Sequence, residues 1–329
     1  MTQKDEYVLG RGIGDSVRLD AQHLLWKLHR GYELHPDIPV TENMKVAELG
    51  TGTAVWIFDL ARQLPPTVQL DGFDISDDQF PAKDLWPQNV TLGLLDSLAD
   101  PPLPLYGQYD VVHLRMWASN LRESDTSSLA CHIKHLLKPG GYIQWEEADL
   151  VHQRIKGAEA QEFERNMNEI FKRVGLDYSW VSDLPNRLRQ ENFNVLEVEN
   201  DHFKPELVQL CTNTYLMALR EILQGIKRLL AQNMLLSITE QEEDTNAKRA
   251  NVLSAQPPLH QHHRMLCFFH MTTGGIDESL PRPSPSRFGS SDHALPLAAW
   301  IPGVQWVTIV VLGWRLASFK PENEDTGRS

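Results

Sequence analysis

The sequence predicts an α/β protein in which short apolar strands alternate with amphipathic helices around a mostly parallel sheet. Three observations carry this. Between residues 44 and 147, strand-like runs and helix-period runs take turns. Residues 46–52, Val-Ala-Glu-Leu-Gly-Thr-Gly, drive an apolar strand end into an acid and two glycines, and a helix-period segment follows at once. Acids recur at later strand ends: Asp74 stands 22 residues after Gly52, and Asp96 stands 22 residues after Asp74.

The elements follow in order. Residues 16–34 read as a helix ahead of the first strand, closed by His35-Pro36 and Ile38-Pro39. Strands are predicted over 45–49, 67–73, 89–94, 109–114 and 142–146. Trp56, Ile57, Leu60, Ala61 and Leu64 give the helix after the glycines its apolar face, and Pro65-Pro66 stops it. A helix over 125–137 buries Leu129, Ile133, Leu136 and Leu137 and ends at Lys138-Pro139-Gly140-Gly141. Beyond 150 come helices over 158–174, 183–190 and 206–236, with a sixth strand over 193–198. Helices inserted there would form a lid over the sheet edge. A last strand is predicted over 306–312.

This divides the chain into a cap helix (1–40), a ligand-binding core (41–150), lid helices with the sixth strand (151–239), an irregular or disordered insertion (240–300), the last core strand (301–316) and a polar tail (317–329). Residues 251–300 hold many prolines and histidines and no period, which is the basis for the insertion.

Composition narrows the function. With 41% hydrophobic and 23% charged residues, the chain is an ordinary globular protein. A net charge of −13 opposes non-specific nucleic-acid binding, so no nucleic-acid partner is expected. Three scattered cysteines suggest neither a disulfide framework nor a thiolate metal site. The beginning of the sequence shows no apolar signal core, and a cytoplasmic location is expected. The charge-free run Leu297–Trp314 approaches the length of a membrane span. Its Pro302, Gly303 and Gln305, and the β-branched Val307–Leu312, instead favour a buried strand. No membrane partner is expected.

The glycine loop decides the ligand class. A dinucleotide fingerprint wants a third glycine where this chain has Val55, and no phosphate-binding lysine follows. Glu48 would repel a pyrophosphate and suits a cationic amino group. S-adenosylmethionine has such a group, a sulfonium, a ribose and no phosphate. Asp74 can accept both ribose hydroxyls, and Asp96, with Ser97 beside it, can take an exocyclic amine.

On these residues the chain resembles the class I S-adenosylmethionine-dependent methyltransferases. More narrowly, it resembles the fungal secondary-metabolism group that contains gliotoxin-type N-methyltransferases and LaeA-like regulators. The carrying segments are 7–11, 18–23, 48–54, 70–76, 109–115 and 136–147. The resemblance implies a Rossmann-like sheet of seven strands with the last antiparallel. It also implies S-adenosyl-L-methionine as cofactor, held by Glu48, Gly50, Thr51, Gly52, Asp74, Ile75, Asp96 and Ser97. Ala54 departs from the glycine usual in the family; its methyl is tolerable if φ stays negative.

Arg18, Gln22 and His23 read either as a solvated helix face or as a cap over the cofactor. His113 is a candidate base and Arg115 a candidate for orienting a substrate carbonyl, the alternative for His113 being packing within the sheet. Trp145 and Glu147 are candidates for lining a substrate pocket. His260, His262, His263, Cys267 and His270 are spaced too loosely for a tetrahedral metal site, so no metal is expected. The function implied is methylation of a small-molecule nitrogen, oxygen or sulfur. The alternative is a LaeA-like regulator acting through protein partners.

Overall fold

The computed structural model describes residues 9–122, 125–153, 157–254 and 305–312, with the backbone alone over 232–254 and 305–312. Helix α1 (Ile13–Arg30) leads into β1 (Lys45–Leu49), α2 (Val55–Ala61), β2 (Gln69–Asp74), β3 (Val90–Leu94) and β4 (Tyr109–Arg115). Helix α3 (Asp125–Leu136), β5 (Leu137–Asp149), α4 (Ala158–Arg173), α5 (Leu184–Gln190), β6 (Asn194–His202), α6 (Val208–Ser254) and β7 (Gln305–Leu312) follow.

The strands form one seven-stranded sheet in the order β3-β2-β1-β4-β5-β7-β6. The first five run parallel, and β7 lies antiparallel between β5 and β6. Strand order reverses between β1 and β4, and ligands of open α/β sheets bind at the carboxyl ends beside such a switch point. β1 and β4 owe their central place to apolarity on both faces. Val46, Ala47, Leu49, Val111, Val112 and Leu114 are all fully buried.

Each face of the sheet has its own core. On one, Trp56, Ile57 and Leu60 of α2 pack with Ile38, Val46, Leu70, Leu92 and Val111. On the other, Leu129, Ile133 and Leu136 of α3 join Leu49, Leu114, Ile143, Trp145 and Trp180. This burial is the main term holding the sheet together.

Several boundaries differ from the sequence reading, each for a local reason. α1 stops at Arg30, not 34, because Gly31 adopts φ 83° and its N–H returns to the Lys27 carbonyl. α2 stops at Ala61, three residues short, where the Arg62 N–H turns back to the Asp59 carbonyl. β5 begins at Leu137, directly after α3, and continues to Asp149.

α6 runs through Ser254, so residues 240–254 are helical and not irregular. Their Glu, Gln, Lys, Arg and Ala residues are strong helix formers, and the first proline after α6 begins is Pro257. Residues 255–300, with the histidine cluster, lie outside the described residues. The chain divides into one compact unit of Met1–Leu229 with Pro296–Ser329 and another of Leu230–Leu295. The charge-free run near the end contributes β7, and no helix among the described residues is long and apolar enough to cross a membrane.

Candidate functional site

The glycine loop leaves β1 at the switch point. Gly50 and Gly52 both take positive φ, 70° and 52°. A side chain at Gly50 would meet the Trp117 indole at 3.2 Å, and one at Gly52 would meet Leu19 at 3.1 Å. A side chain at either position would crowd its neighbour and take on left-handed strain, so both favour glycine. The loop is pinned to β2: the Thr51 N–H donates to the Phe73 carbonyl at 2.9 Å and the Gly52 N–H to Asp74 Oδ2 at 2.9 Å. The Thr51 hydroxyl donates to Glu48 at 2.5 Å.

Ala54 also takes positive φ, 60°, at the cap position of α2, where its N–H donates to the Thr51 carbonyl at 2.8 Å. The condition set by the sequence reading, a negative φ, is not met. An alanine here bears the left-handed strain that a glycine would avoid.

Asp74 and Asp96 stand at successive strand ends. Asp74 also accepts from the Ser76 N–H, and Asp96 accepts from the Leu98 N–H at 2.9 Å. Burial raises the Asp74 pKa, against the opposing pull of its N–H donors. Each carboxylate keeps acceptor capacity for a further donor. Ile75 is 60% exposed beside Asp74, whereas Ser97 is buried.

α1 roofs the loop. Thr53 donates to Asp20 at 2.7 Å, and Gln79 reaches Ser16 at 3.0 Å. Arg18 and Gln22 are buried, not on a solvated face. The Arg18 guanidinium grips Glu221 of α6 through Nε at 2.5 Å and Nη2 at 3.2 Å, and Gln22 through Nη1 at 3.1 Å. The Gly10 N–H completes the Glu221 shell. His23 lies 3.1 Å from Asp59, and its pKa is lowered by burial and then by Arg115.

His113 and Arg115 share a sheet face, as alternation predicts, but that face is covered. His113 is fully buried and stacks on Trp56, centroids 3.5 Å apart and planes 7° apart. Its Nδ1 is 3.7 Å from Glu48 and its Nε2 3.3 Å from Glu146. Arg115 donates to Glu146 at 2.6 Å, approaches His23 at 3.4 Å and lies 5.0 Å over the Trp26 ring.

The sequence leaves His113 either as a candidate base or as packing within the sheet, and this enclosure fits the packed alternative. Arg115 is paired with Glu146. Burial disfavours the Glu146 carboxylate, but Arg115 and His113 outweigh it and hold the pKa down at about 2.

The layer continues to Glu33, buried with neither oxygen hydrogen-bonded, its pKa pushed up to about 7 by burial. His23, Glu33 and Asp59 bring donor atoms close enough for a metal, but Lys27 already donates to Asp59 and lies 3.5 Å from Glu33. The ammonium takes the cation's place. His35, Asp37 and Glu197 form a second such group, with His35 3.5 Å from Glu197.

Trp145 and Glu147 are both fully buried on the opposite face of the sheet from His113, and Trp145 lines a small cavity with Thr126, Ala130, Leu184 and Leu188. Trp145 meets Trp180 edge to face. Glu147 accepts from the Trp117 N–H at 2.7 Å, the Ala118 N–H at 3.3 Å and the Trp145 indole N–H at 2.7 Å. Burial pushes its pKa up to about 7 against those donors. Trp117, Glu33, Asp59 and Glu221 were missed in the sequence. Only Trp117, just past the fourth strand end, lay where a signal existed.

No family model matches the chain. It is 34% identical over 179 residues to the methyltransferase grgD of a Penicillium species, covering 52% of this chain and 61% of that one. It is 33% identical over 145 residues to the N-methyltransferase tcpN of Claviceps purpurea, covering 43% and 51%. The secondary metabolism regulator LAE1 of Hypocrea atroviridis is 34% identical over 105 residues, covering 32% and 29%. The chain thus spans less than two thirds of the curated relatives it matches.

Among solved structures, a putative methyltransferase in complex with the Haloferax volcanii Trm112 activator matches with a TM-score of 0.45 and 18% identity, over 60% of this chain and 80% of that one. That likeness is too loose to bear on the chemistry. Strand order and glycine loop agree on the class I methyltransferase fold, and over about half its length or less the chain is similar to fungal methyltransferases and to a secondary metabolism regulator.

Proposed function

We propose that the chain is an S-adenosylmethionine-dependent methyltransferase acting on a small-molecule nitrogen, oxygen or sulfur in fungal secondary metabolism. One observation carries the reading: Glu48, the bare turn Gly50–Gly52, Asp74 and Asp96 line the switch-point edge. This set fits the cofactor. Backbone without side chains admits a close ligand, Asp74 and Asp96 offer acceptors for hydroxyl and amine donors, and Glu48 favours a cation.

S-adenosylmethionine supplies an electrophilic methyl whose leaving group is a neutral thioether, so strong acid catalysis is unnecessary. The protein's task is to orient and to exclude water. α1 contributes the roof through Leu19 and the Asp20–Thr53 bond. His113 and Arg115 act on the site indirectly, by holding Glu146 in the covered layer.

Asp74→Ala should weaken binding of S-adenosylhomocysteine by about 1–3 kcal/mol, the cost of a lost hydrogen bond to a charged group. Isothermal calorimetry measures it, and an unchanged dissociation constant removes Asp74 from the pocket. Binding without methyl transfer to any component of a metabolite extract would favour a regulator of the LAE1 kind.

A further inference from the structure

The segment after β4 is built to carry one side chain back across the glycine loop. Met116 takes φ 58°, a left-handed conformation that a methionine rarely adopts, and its N–H donates to the Glu146 carbonyl at 2.8 Å. That bend reverses the chain, and Trp117 returns over the end of β1. Its indole N–H donates to the Leu49 carbonyl at 3.2 Å, and its ring lies against Gly50. Gly50 is exposed backbone at the carboxyl end of β1, so the indole flanks the place where the cofactor reading seats its ligand.

The bend is fixed from below by a group that has no other evident task. Glu147 is fully buried, and a buried carboxylate is costly unless its lone pairs are filled. It fills them with the backbone N–H groups of Trp117 and Ala118 and the indole N–H of Trp145. Two of its three donors are the backbone of the segment that aims Trp117. Ser119 is tied down as well, its hydroxyl 3.1 Å from that of Tyr178.

We propose that Trp117 is the wall that fixes how a ligand seats against the Gly50 backbone, and that Glu147 is the positioning residue that holds it there. This rests on the cofactor reading given above. Glu147 touches no ligand; it acts through Trp117. Trp117 then also limits the room left for a methyl acceptor beside the glycine loop.

The test is a double-mutant cycle read by calorimetry with S-adenosylhomocysteine on the full-length chain. Trp117→Ala should weaken binding about tenfold, and Glu147→Gln, which places an amide N–H among three donors, should weaken it by a similar factor. The double variant should bind no more weakly than Trp117→Ala alone, because both changes remove one wall. Trp117→Phe, which keeps a ring, should recover most of the affinity.

Hydrogen exchange supplies a second readout if Glu147→Gln proves unstable. In that variant the amides of Trp117 and Ala118 should exchange faster, while β1 keeps its protection. Effects that multiply in the double variant, or wild-type affinity in Trp117→Ala, overturn the proposal. A wild-type protein that takes up no S-adenosylhomocysteine sinks the cofactor reading itself, and the wall with it.

Discussion

Single residues show where local chemistry spoke plainly and where it did not. The turn at Gly50 and Gly52 was legible because its backbone depends on neighbours a few positions away: a strand end before it and the start of a helix after it. The Ala54 conformation was not legible. Nothing in Thr53-Ala54-Val55 reveals that the helix cap turns left-handed. The consequence can be measured. Ala54→Gly should relieve about 1–2 kcal/mol of left-handed strain and forfeit about 0.8 kcal/mol of buried methyl. The expected outcome is a small net stabilisation, up to about 1 kcal/mol, in denaturant titrations. A variant less stable than wild type would mean the buried methyl matters more than the backbone.

At the scale of elements, strands β1 to β4 were readable to within two residues as short apolar runs, the pattern of strands buried on both faces. Faces were harder. Alternation put His113 and Arg115 together correctly, but it could not say that α1 and α2 would close over them. That depends on Trp26, Trp56 and Asp59 arriving from elsewhere in the chain. The α1–α6 contact was invisible for the same reason. Arg18 and Glu221 are 203 residues apart, and no local pattern links them. Their pairing is buried on both sides, so Arg18→Ala should cost about 3–5 kcal/mol by stranding the Glu221 carboxylate. Adding Glu221→Ala should restore much of that loss. Two penalties that simply add would argue against coupling between the helices.

Across the whole molecule, buried ionisable groups set how stability follows pH. Glu33 and Glu147 have pKa values raised to about 7, so the folded state takes up protons that the unfolded state does not. Stability should therefore rise as pH falls through 7. His29 is lowered to about 4 by burial, and His23 is lowered too, so below about 6.5 the unfolded state gains protons there and offsets that rise. Asp59 and Glu146 are held near 2, so stability should fall steeply once pH drops below their unfolded values. Chemical denaturation at a series of pH values checks the order: a rise on leaving alkaline conditions, a plateau, then collapse. Glu147→Gln should flatten part of the first rise, and an unaltered profile would show that Glu147 does not titrate there. The sheet order carries one more implication, for synthesis on the ribosome. β7 fills the slot between β5 and β6 although about a hundred residues separate it from β6. Until that final ribbon emerges, β5 and β6 each present a raw hydrogen-bonding edge, so a nascent chain arrested before residue 305 should be a target for chaperones and prone to clump.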